Sequence, residues 1–572
     1  MSSLFLALSL LVSVTLALPA PPRRFSARHN DLNLIGKRGT VDGVIGLGDN
    51  SDLLYSVPIQ LDNTTTIVNL DTGSSDLWVI SSACATNACT KAGQTPHVPT
   101  QGLTSIGPTV TMRYGDSTTG TYATGPLSMT TASIAGVAID NQLFAAINDT
   151  TNTGARRVRC RWHFWGSAFP ANREPHLHLF GVMPDSCTSQ IQAAAVQHQF
   201  GTSATTDHLI ASSYADGPLI SRITQSEALQ MPMFTISLQR STIDISGTGA
   251  LTLGALPPGI DNSSLTWVPV RLYTPEEGGL TPPSFAPNEV YPLRWEIELD
   301  GVFLDGVELA PSTIPTTGGV NATAMVTPSY AGPSDVVQNI LGKISPQYSP
   351  QKPNSALLAC AQAHSLAFKI GGQMFPIDPR DLPSPVSEGN AANCVIDNIV
   401  ATDAPSVGAL FRWSLGDPFM KSNLVAFHYG NLTNPSQDPP RIGFLSQVPS
   451  NAAALLTQAV QEALQDGGDF ESTLVVAPTL SAELESEVTV VASAASLEAA
   501  RLTATHTPSA APTAAPNGAA GATGAASATG AASSTVSITG KASTKSNGAR
   551  RLALWDSWLI ALGVAVLSTV LG

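Results

Sequence analysis

From Gly39 to Val448 apolar residues fall in short runs cut by Gly, Pro, Asn and Asp, as in Leu54-Tyr55-Ser56-Val57-Pro58-Ile59, Phe234-Thr235-Ile236-Ser237-Leu238 and Leu251-Thr252-Leu253. Runs of this length closed by turn formers predict strands, so the region reads as mainly β. Helical spacing is scarce. Ser334 to Lys343 and Ala452 to Leu464 are its best examples, the second inside an acidic linker placed at 449–502.

The two ends carry different patterns. Met1 to Ala17 is a short apolar run closing on small residues, the layout of a secretory signal (1–17) and too short to span a bilayer. Residues 18–38 hold Arg23, Arg24, Arg28, Lys37 and Arg38, and the dibasic Lys37-Arg38 suits kexin-type processing. The stretch therefore reads as a basic prosegment, or else as a basic tail without a regulatory role. Residues 503–549 are almost wholly Ala, Thr, Ser, Gly and Pro, too poor in apolar bulk to fold, and read as an extended, O-glycosylated stalk. The final stretch, 550–572, combines a polar spacer with apolar Trp558 to Leu571, after the small residues Asn547-Gly548-Ala549. That order matches a glycolipid (GPI) anchor signal, while a membrane helix would need ~20 apolar residues.

Charge narrows the class. Lys and Arg number 28 against 42 Asp and Glu, a formal net charge of −14, so nucleic acid is not an expected partner. Charged residues make up only 12% and apolar ones 43%, enough for a large core and unlike a disordered chain. Given secretion, sequons at Asn63, Asn148, Asn262, Asn321 and Asn431 are candidate glycosylation sites on exposed loops. In an oxidising compartment the six cysteines suggest disulfides, Cys84 with Cys89 and Cys360 with Cys394 being the natural close pairs. Cys160 and Cys187 remain. His176-x-His178 lacks further ligands at matching spacing, so no metal site is expected.

The chemistry concentrates in Ile67-Val68-Asn69-Leu70-Asp71-Thr72-Gly73-Ser74-Ser75-Asp76-Leu77-Trp78-Val79. An apolar strand delivers one carboxyl group into a tight Thr-Gly turn, where glycine lets backbone amides approach and small hydroxyls can donate. This stretch closely resembles the first catalytic motif of the pepsin-like aspartic proteases. The resemblance implies a bilobed, mainly β fold with a deep cleft between lobes at 39–255 and 256–448. Asp71 would be the catalytic acid, Thr72, Gly73, Ser74 and Trp78 its supports, and Tyr114, Gly115 and Asp116 part of a flap over the substrate. Cys84 and Cys89 match the small first-lobe disulfide loop. Further landmarks follow in order at 250–254, 295–306, 368–372, 413–419 and 441–444. The resemblance implies polypeptide substrates, a monomeric enzyme and no cofactor, while the C-terminal signal implies a lipid anchor to the membrane.

In that family two aspartates share one proton around a water. The base activates the water against a peptide carbonyl, and the acid stabilises the oxyanion and protonates the leaving nitrogen. Here the second Asp-Thr/Ser-Gly is missing: Ala324-Met325-Val326 passes directly to Thr327-Pro328-Ser329-Tyr330-Ala331-Gly332-Pro333. Asp335, beyond it, reads as a first-turn helix carboxylate. A second departure spans 155–187, where Arg156, Arg157, Arg159 and Arg161 precede Trp162, His163 and Trp165. The family has there an apolar-apolar-Gly strand that braces the catalytic turn. Three readings stay open: splice or frame errors in the gene model of an active enzyme, a peptide-binding pseudoprotease, or a surface glycoprotein that keeps the fold as scaffold.

Overall fold

The computed structural model describes residues 43–477, except 51, 53, 92–97, 115–120, 152–178, 182–188, 227–228, 315–320, 325–329, 353–354, 388, 403–412 and 476. The signal, prosegment, stalk and anchor signal read from the sequence lie outside the described residues.

The principal strands of the first half are β1 (Gly43–Gly46), β2 (Gly48–Asn50), β3 (Tyr55–Leu61), β4 (Thr64–Asp71) and β5 (Leu77–Ile80). They continue with β6 (Thr104–Tyr114), β7 (Thr121–Ile134), β8 (Val137–Ile147) and β9 (Leu179–Gly181). Helices α1 (Gln190–Phe200), α2 (Thr206–Asp216) and α3 (Leu219–Gln225) come next, then β10 (Met233–Ser237) and β11 (Ala250–Leu253). The second half begins with β12 (Thr266–Pro269), β13 (Glu296–Glu298), β14 (Asn321–Ala324), β15 (Tyr330–Pro333) and α4 (Ser334–Ile344). It closes with β16 (Ile399–Thr402), β17 (Trp413–Leu415), α5 (Asp417–Ser422), β18 (Asn423–His428) and β19 (Arg441–Ser446). A further helix, α6 (Ala452–Gln465), and strand, β20 (Leu474–Val475), follow.

Two sheets position the site. A six-stranded sheet in the order β1-β11-β10-β18-β19-β12 draws strands from both halves, so the halves share one hydrogen-bonded floor. A ten-stranded sheet built around β2-β3-β4-β9-β5-β8-β7-β6 carries the Asp71 strand in its middle. In it β4 pairs parallel with β9, β9 antiparallel with β5, and β5 parallel with β8. The second half repeats that sequence of directions: β14 pairs parallel with β17, β17 antiparallel with β15, and β15 parallel with β16. This mostly β, duplicated arrangement is that of a bilobed acid protease.

One apolar core runs through both halves, from Val57, Ile59 and Val68 through Phe234 and Trp295 to Phe368, Phe419 and Phe444. Phe234 stacks on Phe427 with ring centroids 4.7 Å apart, and Trp295 tilts against the same Phe427 at 5.0 Å, so aromatic packing joins the two halves across the shared sheet. Both expected disulfides, Cys84–Cys89 and Cys360–Cys394, are formed.

Helices α1 to α3 are absent from the strand-dominated expectation. Their inward positions include Gln192, Ser212 and Ser213 beside Ile191 and Ile210, so no clean apolar stripe marks them. The polar groups pair with one another instead: Gln192 Nε2 donates to the Leu209 carbonyl and to the Ser212 hydroxyl, both at 2.8 Å. Within the stretch read as a linker at 449–502, the helix expected at 452–464 is formed as α6. The linker's first part is folded, because α6 buries Leu456 and Val460 and the chain behind it buries Phe470 and Ala477. Apolar burial fixes that stretch, whose charged residues are all acidic but which is rich in Ala, Leu and Val.

Candidate active site

Asp71 is the last residue of β4. Strand β3 covers one side of β4, pairing Ser56 with Asn69, and β9 covers the other, pairing Phe180 with Leu70 and Gly181 with Asp71. The bracing strand expected somewhere within the odd 155–187 stretch is therefore Leu179-Phe180-Gly181. Its apolar-apolar-Gly pattern was legible but hidden among foreign neighbours.

Beyond β4 the chain turns. The Gly73 amide donates to Asp71 Oδ1 at 2.8 Å, Thr72 is fully buried, and Ser74 is half-buried. Burial pushes the Asp71 carboxyl above its ordinary range, while the Ser74 hydroxyl and the Gly73 amide pull it back. Among the described residues the rise comes from burial and not from a neighbouring carboxylate.

The far end of the turn is fixed by a residue the sequence reading did not single out. Asp76 is buried, and its Oδ1 accepts the Ser189 hydroxyl at 2.6 Å and the Ile191 amide at 3.1 Å, while its Oδ2 accepts the Gln190 amide at 3.1 Å. A carboxylate thus satisfies free amides at the start of α1, the position where the helix dipole favours negative charge. Trp78 is buried among Met112, Leu127, Ile191 and Ala195, which ties the turn to strand β6 and to α1. Tyr114 ends β6, its backbone paired with Thr121, whereas Gly115 and Asp116 lie outside the described residues.

In the second half the ladder between β14 and β17 pairs Ala322 with Trp413, Thr323 with Ser414 and Ala324 with Leu415. Gly416 follows Leu415 as Gly181 follows Phe180, and Gly181 is the partner of Asp71. After Ala324 the chain reads Met325, Val326, Thr327, none with a carboxyl group, and 325–329 lie outside the described residues. Asp335 does not fill the role. It sits in the first turn of α4, accepting the Ser312 hydroxyl at 2.8 Å and the Thr313 amide at 2.7 Å. Burial raises it, but those hydrogen bonds outweigh burial and hold it below the usual carboxylate range.

Of the sequon asparagines, Asn63, Asn148 and Asn262 are exposed. Asn431 is half-buried, its Oδ1 accepting the Thr433 and Asn434 amides at 3.0 and 2.9 Å. Asn321 opens β14 opposite Glu298, within a sheet rather than on a loop, because β14 is paired on both sides.

Comparison with known proteins agrees with this architecture. The family model described as "Eukaryotic aspartyl protease" matches residues 55–160 and 188–434, and omits much of the foreign 155–187 stretch. An aspartic protease of Phaffia rhodozyma is 24% identical over 425 residues, covering 74% of this chain and 83% of that protein. Pepsin A of Sus scrofa is 25% identical over 369 residues, 64% of this chain and 75% of that protein. Endothiapepsin of Cryphonectria parasitica is 33% identical over a shorter span of 129 residues, 22% of this chain and 30% of that protein. With a strand-borne Asp-Thr-Gly turn, a duplicated lobe topology and a family match across most of its folded length, this chain belongs to the eukaryotic aspartyl proteases.

Proposed function

We propose that the protein is a secreted, glycolipid-anchored aspartic endopeptidase that acts on polypeptides at acidic pH. A basic prosegment would be lost at Lys37-Arg38, and the enzyme would act as a monomer. The observation that carries the reading is Asp71 at the end of β4, its Oδ1 held by the Gly73 amide at 2.8 Å and its backbone braced by Gly181. Thr72, Gly73 and Ser74 hold the carboxyl, Trp78 backs it, and Tyr114, Gly115 and Asp116 cover the bound peptide. A water between Asp71 and a partner acid would attack the peptide carbonyl, the ionised member of the pair taking the water's proton.

That partner acid is what the sequence lacks between Val326 and Thr327. With Asp71 alone, no second group protonates the leaving nitrogen while the first acts as base, so the literal sequence does not cleave peptides at an enzymatic rate. The same observation favours a second reading, a pseudoprotease that binds peptides at the cell surface.

The test is hydrolysis of a denatured protein at about pH 4, with and without a statine-type inhibitor, for the wild type and Asp71→Asn. It is paired with the transcript sequence across codons 326–327 and 154–188. Inhibitor-sensitive cutting that Asp71→Asn abolishes supports the peptidase. Peptide binding without cutting supports the pseudoprotease, and neither cutting nor binding removes both.

A further inference from the structure

The folded body continues past residue 434, where the family match stops. After α6 the chain doubles back across the molecule. The Gly468 carbonyl accepts the Ala391 amide at 2.9 Å, the Phe470 amide donates to the Gly389 carbonyl at 2.5 Å, and the Thr473 amide donates to the Ser241 carbonyl at 2.9 Å. Strand β20 then pairs antiparallel with β2, Asp49 opposite Val475 and Asn50 opposite Leu474. One short segment, 466–477, thus joins three stretches far apart in sequence.

Strand β2 and residue 241, both held by this segment, adjoin an uneven set of buried charges. Asp49 is 1% exposed; its Oδ1 accepts the Asp52 amide at 2.9 Å, and its Oδ2 is buried without a hydrogen-bond donor among the described residues. Asp52, by contrast, is saturated: it accepts the Ser241 amide at 2.8 Å, the Thr242 amide at 3.1 Å and the Thr242 hydroxyl at 2.5 Å, with Lys421 Nζ at 3.4 Å.

The surrounding cations are committed elsewhere. Lys421, from α5, is shared with Asp381 at 3.4 Å, and Arg240 grips Asp381 through two hydrogen bonds of 2.7 Å. Arg380 is bound to Asp378 and Asp244. Toward Asp49 the Ser241 hydroxyl, the Asp52 amide and Lys421 give only partial compensation, while Tyr55, its partner on β3, donates to the Gln239 carbonyl, and Asp417 of α5 is a further buried acid close to Lys421. Burial and the charge on Asp52 push the Asp49 carboxyl up to about 7. A buried acid with a bare oxygen beside a satisfied carboxylate fits the neutral form.

We propose that residues 466–475 form a pH-operated latch, closed over β2 in acid and released when a second negative charge forms beside Asp52. In acid the latch ties 49–50, 241 and 389–391 together through backbone pairing. Near neutrality a second negative charge, on Asp49 beside Asp52, has only Lys421 to answer it, a cation already shared by Asp52 and Asp381, and the cheapest relief is for β20 to leave β2 and admit water. The proposal is independent of whether the chain cleaves peptides.

The experiment is hydrogen exchange with mass spectrometry on the full chain, at several values between about pH 4.5 and about pH 7.5, expressed as protection relative to intrinsic exchange. The expected result is that protection at 468–475 falls by about tenfold or more with a midpoint near 7, while that of β18 stays constant. Asp49→Asn, nearly isosteric and never charged, keeps the segment protected at every pH. Unchanging protection in the wild type overturns the latch, as does a parallel loss in β18 or a wild-type response in Asp49→Asn. If Asp49→Asn does not fold, the wild-type titration decides alone.

Discussion

The Asp76 carboxylate accepts the Ser189 hydroxyl at 2.6 Å, and by that contact the loop bearing Asp71 is pinned to the first turn of α1. The two residues are far apart in sequence, and each is incomplete alone. Asp76 needs donors because it is buried, and α1 needs an acceptor because its first amides have no partner within the helix.

Replacing Asp76 with Ala leaves the Ser189 hydroxyl and the Gln190 and Ile191 amides without that acceptor. We expect a loss of roughly 2–4 kcal/mol in unfolding free energy, read from urea denaturation, although Asp76 touches no reacting group. Asp76→Ala with unaltered stability would show that the contact contributes nothing to the fold.

The pH response of Asp71 follows from burial. Its folded carboxyl titrates above the unfolded value, so the stability it contributes is complete below the unfolded pKa and is lost as pH rises through the folded one. Asp71→Asn removes that loss. The melting temperature of Asp71→Asn minus that of the wild type should therefore increase from acid to neutral pH in scanning calorimetry; a flat difference would contradict it.

In the second lobe a Cβ added to Gly332 would lie 2.3 to 2.7 Å from atoms of the Trp413 ring. Trp413 is 2% exposed and packs edge-on against Phe368 with ring centroids 5.4 Å apart, so the ring cannot simply move aside. Gly332→Ala should cost about 1–3 kcal/mol, seen as a lowered melting temperature. Gly278→Ala serves as a comparison with nothing within 4 Å, and its cost should come only from its left-handed φ of 89°.

Two truncations test where the body ends. A chain stopped after residue 477 should melt as the full chain does. One stopped after 448 uncovers the surfaces that Leu456, Val460 and Phe470 bury, worth about 1.5–3 kcal/mol each, and should be recovered unfolded or strongly destabilised in limited proteolysis. Equal resistance of the two would mean that α6 and β20 are dispensable.

The Asp-Thr-Gly turn was legible in the sequence because its determinants are contiguous. An apolar strand, an acid, a glycine turn and the two close cysteine pairs each need only neighbouring residues, or pairs recognisable by type. Helix α4 was legible for the same reason, since Val336, Val337, Ile340, Leu341 and Ile344 form an apolar stripe that one turn of chain defines. Helices α1 and α2 were not, because their inner faces include polar side chains whose partners lie on the adjoining helix.

What tertiary structure alone decided is which distant groups meet. Asp76 could not be joined to Ser189, nor 466–475 to β2, from sequence, and the strand expected within 155–187 to brace the turn was placed at Leu179-Phe180-Gly181 only by its pairing with β4. Nor could it show that Asp49, Asp52, Arg240, Asp381 and Lys421 would be buried together with one carboxyl oxygen left over. Turns and strands follow from torsional preference and side-chain alternation over a few residues. Sheet order and the neutralisation of buried charge follow instead from which surfaces exclude water when the whole chain closes, and that is a property of no single segment.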